Sequence, residues 1–201
     1  MVNAGTIQPP TEANQVFEAN LGHFLDPSQA RAAFDARNPA IPIAVPFRVV
    51  TTTDPDLGYL SASSLEKLDI SGWKYFLVRD RKAIAAGDVI DAGTPNLPNY
   101  VLSAVTFGRY PRVLYDAVTS LGRLMHGAPG GRFPLEILIF PELRIHAVCP
   151  TSPIFEAYVP RFERPADDPG YVTIDSTHFL DDVRGRLNAL VPAKPGYTVG
   201  P

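Results

Sequence analysis

Residues 133–160, FPLEILIFPELRIHAVCPTSPIFEAYVP, decide the fold. Prolines cut this stretch into three apolar runs, 135–140, 143–149 and 154–159. Each run has the length of a strand, is rich in Ile, Leu, Val and Phe, and is bounded by a residue that cannot donate to a β-ladder. They are predicted to form the middle of a sheet.

Working outward, residues 111–126 follow a predicted strand at 101–107 and carry a helical stripe of Val113, Leu114, Ala117, Val118, Leu121, Leu124 and Met125. Arg112, Asp116, Thr119 and Arg123 make a polar stripe on the same helix. Before it lies the clearest hairpin, 73–79 and 83–90 around Asp80-Arg81-Lys82. Trp73, Tyr75 and Leu77 alternate there with Lys74, Phe76 and Val78. Residues 41–53 are β-rich, but Pro42 and Pro46 predict an edge or bulged strand. Asp54-Pro55-Asp56-Leu57-Gly58 reads as a turn, and Ser63-Ser64-Leu65-Glu66 as a short capped helical turn. After the three runs, 164–170 reads as a loop, 171–174 as a short strand and 177–190 as a helix burying Phe179, Leu180, Val183, Leu187 and Leu190.

At the other end, Thr11 is placed to cap a helix over 12–21, with Gly22 as its left-handed stop. Asp26-Pro27-Ser28-Gln29 opens a second helix, running to about Arg37 and burying Ala30, Ala33 and Phe34. The domain organisation is a flexible lead (1–10), a helical arm (11–40), a main domain (41–191) and a Pro/Gly tail (192–201). Regular β-α-β alternation is missing. The expected class is α+β, with a mainly antiparallel sheet covered on one face by helices and a short N-terminal helical arm. No internal repeat is visible.

Composition narrows the function classes. With 201 residues and 45% hydrophobic content the chain has enough material for one real core. A net charge of −3, with 14 Arg and 4 Lys scattered without a basic run, argues against nucleic acid and against an anionic membrane surface. The 21 prolines fall at element boundaries, as punctuation of a folded chain. Neither a secretory signal nor a run of about 20 apolar residues is present, so a soluble, cytoplasmic protein is expected. A single cysteine, Cys149, excludes an intramolecular disulfide and a multi-cysteine metal site.

The residues with chemical potential are few. Cys149 and His146 are the nearest approach to a nucleophile and base, but three residues apart on a strand they face opposite sides. Asp175-Ser176-Thr177-His178 gathers an acid, hydroxyls and an imidazole, where a helix start wants Asp, Ser and Thr as caps. The four histidines, His23, His126, His146 and His178, show no metal-ligand spacing, so no metal is expected. His126 suits the C-terminal end of a helix dipole. Gly127-Ala128-Pro129-Gly130-Gly131 lacks the lysine and preceding strand of a P-loop, and the pairs Asp54/Asp56 and Asp167/Asp168 lack the ligand number of a calcium loop, so no cofactor is expected. Arg109, Arg112 and Arg123 are candidates for anion binding at a helix start, although Asp116 stands one turn from Arg112 and offers an ion pair instead.

Aromatics such as Trp73, Tyr75, Tyr100, Phe107, Tyr110, Phe155, Tyr158, Phe162 and Tyr171 accompany the arginines, which is interface composition unless they serve the core. The expected function is a non-catalytic protein-binding or assembly module with a protein partner or a second copy. The alternatives are a small hydrolase-like enzyme using Cys149, His146, His178 and Asp175, or a small-ligand-binding domain.

Overall fold

Two proline-punctuated β-segments and a pair of long amphipathic helices set the frame. The computed structural model describes residues 7–35, 37–51, 69–94, 97–127, 134–150, 156–160 and 171–190. Helices α1 (Thr11–Leu21) and α2 (Pro27–Ala33) precede strands β1 (Ile41–Val49), β2 (Gly72–Arg79), β3 (Lys82–Asp91) and β4 (Tyr100–Phe107). Helix α3 (Arg109–Gly127) leads to β5 (Leu135–Phe140), β6 (Ile145–Pro150), β7 (Glu156–Pro160) and β8 (Tyr171–Asp175), and α4 (Ser176–Leu190) follows. The turns expected at 54–58 and 63–66, the glycine-rich segment beyond Gly127, the loop at 164–170 and the tail lie outside the described residues.

The strands form one sheet in the order β4-β3-β2-β1-β5-β6-β7-β8. Every neighbouring pair is antiparallel except β1 and β5, which run parallel at the centre. The class is α+β with a mainly antiparallel sheet. The hairpin between β2 and β3 turns on Asp80 and Arg81, both at positive φ (50° and 62°), the conformation of a two-residue hairpin turn whose twist matches the strands.

Central placement of β1 corrects the expectation of an edge strand. The Phe47 carbonyl accepts from Ser71 N–H at 2.9 Å, so the odd-numbered residues of β1 turn their backbone groups toward β2. Pro42 and Pro46 alternate with them and turn their missing N–H groups the other way. On that side pairing with β5 begins only at Phe47. The prolines therefore remove no ladder bond.

Helices lie on the sheet as its alternating side chains dictate. Leu114, Ala117, Val118 and Leu121 of α3 pack with Phe47, Phe76, Val78, Ile137 and Val148 on one face. The second face is also covered. Ala13, Phe17 and Leu21 of α1 join Trp73, Tyr75, Leu77, Val89 and Leu102, and Phe179, Leu180, Val183 and Leu187 of α4 join Leu138, Phe140, Ala147 and Cys149. The N-terminal arm thus docks its first helix on its own sheet. Phe17 stacks on Tyr75 with ring centroids 4.4 Å apart, and it reaches the sheet because Gly87 has no side chain: a Cβ there would lie 2.7 Å from the Phe17 ring.

Several local expectations change. Pro10, not Thr11, caps α1, without a side-chain bond, and Gly22 continues in right-handed geometry into a 3-10 turn, Gly22–Phe24. Asp26 and Gln29 do form the reciprocal capping box, but α2 stops at Ala33 and Phe34 is exposed. Leu124 and Leu190 lie exposed at helix ends. Trp73 and Tyr75 are core residues, buried between α1 and the sheet rather than offered to a partner.

The chain order hides a repeat. A half-turn about an axis along the strands, between β1 and β5, carries the order β1-β2-β3-β4-α3 onto β5-β6-β7-β8-α4 and exchanges the faces. Such a rotation puts α3 and α4 on opposite faces, where they are found.

Candidate functional site

Four ionisable side chains converge beneath the start of α3. Lys74 on β2 pairs across the hairpin with Asp88 on β3 and forms an ion pair with its Oδ1. Lys74 is 2% exposed. Its ammonium lies 5.4 Å from the ring centroid of Tyr110, in the first turn of α3, and 6.0 Å from that of Phe47, so two aromatic faces and one carboxylate replace its water shell. The Tyr110 hydroxyl lies 2.7 Å from Nδ1 of His146 on β6, and the two rings meet edge to face.

Burial, then the Lys74 charge, holds His146 down at about 4, against the opposing pull of Asp88. Burial first and Asp88 second push the Tyr110 hydroxyl far above its ordinary value. Near neutral pH the imidazole and the phenol are therefore both uncharged. Of these four, only His146 stands out for chemistry in the sequence alone. The signal for the others is a lone lysine inside the aromatic run of β2, with an aspartate at the matching position across the turn.

A second ion pair sits on the opposite face, on the central parallel strands. Arg48 Nε of β1 lies 2.6 Å from Glu136 Oε2 of β5, with side chains 11% and 6% exposed. Glu136 is the cross-strand neighbour of Cys149. Burial first, and the Glu136 charge second, raise the Cys149 thiol well above its ordinary value, against a smaller opposing effect of Arg48. A thiol in that setting is protonated and a poor nucleophile.

The structure separates Cys149 from His146, as strand alternation requires. Cys149 belongs to the core under α4, whereas His146 faces Tyr110 of α3. His178 and Asp175 do come together, as an exposed pair at the start of α4. Asp175 Oδ1 accepts from the backbone N–H groups of Thr177 and His178 at 3.1 Å each, which is a helix cap. Those bonds, led by the His178 N–H, hold the Asp175 carboxyl below its usual range.

Of the anion-binding candidates, Arg109 and Arg112 are exposed in the first turn of α3. Arg123 is exposed further along and donates to the Thr119 carbonyl at 3.3 Å. Asp116 is within electrostatic reach of Arg112, Arg123 and Lys82. Burial raises its carboxyl, and the three cations partly offset that. Among the described residues no group of three His, Cys, Asp or Glu is placed to hold a metal ion, and no helix is long and apolar enough to cross a membrane.

The remaining feature is an edge. β4 ends the sheet, and its eight residues, YVLSAVTF, include no charge and no proline. Tyr100, Leu102, Val105 and Phe107 pack toward α1. Val101 is 42% exposed, Ser103 and Ala104 are exposed, and Leu97, in the loop before the strand, is 74% exposed. The Asn99 carbonyl accepts from Ala92 N–H at 2.9 Å. Alternation therefore turns the N–H groups of Tyr100 and Leu102 away from β3. No protein-family model matches this chain, and no curated protein or solved structure is detectably similar to it.

Proposed function

We propose that this protein is a non-catalytic binding or assembly module that takes an extended protein segment along the β4 edge. The uncharged, proline-free edge carries this reading. Sheets ordinarily protect an edge with lysine, proline or inward-pointing charge. β4 has none of these; a β-bulge, which can also blunt an edge, falls at Ser103 opposite Asp88 and Val89 and leaves residues 100–102 and 104–107 in regular pairing. Strand addition to such an edge draws affinity from main-chain hydrogen bonds and selectivity from alternate side chains. Mutual engagement of the polar groups supports the same reading. Lys74, Asp88, Tyr110 and His146 are engaged with one another between helix and sheet, Arg48 with Glu136, and Asp175 with the start of α4. We place the module in the cytoplasm, where a lone buried thiol stays reduced.

Amide hydrogen exchange on dilute protein tests the edge. The Tyr100 and Leu102 amides are expected to exchange at least tenfold faster than that of Val101, which faces β3. Equal protection of the three would mean that the edge is already closed, and would remove the basis of the proposal.

A further inference from the structure

We infer that the segment taken by the β4 edge is β4 of a second copy of this chain, laid antiparallel across a two-fold axis so that the two sheets become one. This inference rests on the edge reading above and adds the identity of the occupant. Two observations favour a second copy. In a two-fold pairing every residue meets the same strand again, so any charge on it risks a like-charge contact. A strand with no charged residue over its whole length avoids that conflict in every register.

The second observation is the charge at the two ends of the strand. Tyr100 is the cross-strand neighbour of Asp91, and Arg109 stands two residues beyond Phe107 as the first residue of α3. Both Asp91 and Arg109 are exposed. Asp91 Oδ1 accepts from Gly93 and Asn99 N–H groups at 2.9 Å each, which keeps the carboxylate at the loop that leads into β4. Antiparallel pairing brings Tyr100 of one copy opposite Phe107 of the other. It thereby sets the Arg109 end of each copy against the Asp91 end of its mate. Ser103, the residue skipped in the β3–β4 register and bonded through Oγ to the Asp88 carbonyl, then falls near the axis. Residues 100–102 of each copy pair with 105–107 of the other. The result is an isologous interface in which each contact occurs twice.

Light scattering over a concentration series, combined with amide exchange, tests this. The expected result is a particle that rises from 21.9 kDa toward twice that mass, with the Tyr100 and Leu102 amides becoming protected as it does. Val101→Lys with Ala104→Lys, both at exposed positions, is expected to raise the dimer dissociation constant at least tenfold. Arg109→Glu, which leaves the strand untouched, is expected to raise it about fivefold at low salt. A chain that stays monomeric at every concentration while Tyr100 and Leu102 exchange rapidly would overturn the second copy as occupant and leave the edge reading standing. A monomer in which those amides are protected would overturn both. A dimer indifferent to the lysine pair and to Arg109→Glu would place the contact elsewhere and overturn the inference.

Discussion

In the first half of the sheet every residue of β2 from Gly72 to Val78 is buried, because α1 closes one face and α3 the other. In the second half α4 closes one face of β5 and β6, and the opposite face is closed by α3, a helix that belongs to the first half. The two halves share an order of elements and differ in how they are covered. Helix length explains part of this. α3 touches both β3 and β7, five inter-strand spacings apart, or about 24 Å. Its 19 residues span about 28 Å. α4, with 15 residues, is about 22 Å long and stays within the second half, packing on β5 and β6 and lying close to β7, β8 and the 3-10 turn after β5. The rest is the added N-terminal helix, which fills on the first half the face that α4 fills on the second. Equal connectivity therefore does not imply equal cooperativity: α3 ties the halves together, whereas α1 and α4 each serve one.

The most severe test of that contrast is to charge the buried face of each helix. Leu121→Asp in α3 buries a carboxylate against strands of both halves and is expected to cost about 4 kcal/mol or more, removing amide protection from β2 and β6 together. Leu187→Asp in α4 is expected to strip protection from β5 and β6 while β2 and β3 keep theirs. Loss of both halves in each variant would show that the sheet, not α3, carries the coupling.

Phe17→Ala probes the added helix. The ring stacks on Tyr75 and is 1% exposed, so the expected loss is about 3 kcal/mol. Trp73, the only tryptophan, lies in the same cluster. Its emission should shift to longer wavelength in this variant and stay put in variants of α4.

The Tyr110–His146 contact joins α3 to β6, so its titration reports on the link between the halves. His146 sits at about 4 in the fold and returns to about 6.5 when unfolded. Between those values the unfolded chain takes up a proton that the folded chain refuses. Stability is therefore expected to fall by about 2–3 kcal/mol as pH drops from about 6.5 to 4, with no further gain from this group above that window. Denaturant midpoints at a series of pH values should show the slope, and His146→Leu should flatten it.

The smallest expected effect lies on the outer side of α4, where Arg186 and Asp182 are 3.6 Å apart and exposed. Asp182→Ala should move stability by no more than about 0.5 kcal/mol, and a larger shift would mean that α4 matters beyond its buried face.

Much of this architecture is legible in the order of the amino acids. Proline-bounded apolar runs locate β5, β6 and β7 to within a few residues, because a residue without an N–H most often sits where a ladder ends. The alternation of β2 and its turn locates the first hairpin, and Asp26 with Gln29 locates the start of α2. The opposite facing of Cys149 and His146 follows from the period of a strand alone. All of these depend on neighbours within a few residues. Pairing between distant segments decides the rest. The centrality of β1 turns on which side of the strand Pro42 and Pro46 face, and only the partners β2 and β5 set that. The docking of α1 requires Gly87, some 70 residues from Phe17, to leave room for a ring. The cluster of Lys74, Asp88, Tyr110 and His146 draws on four elements, which only the strand order and the path of α3 bring together. Local periodicity thus determines the elements and their buried sides, and tertiary structure decides which buried sides meet, because strand order and helix placement are chosen by the summed packing of the whole sheet rather than by any one segment.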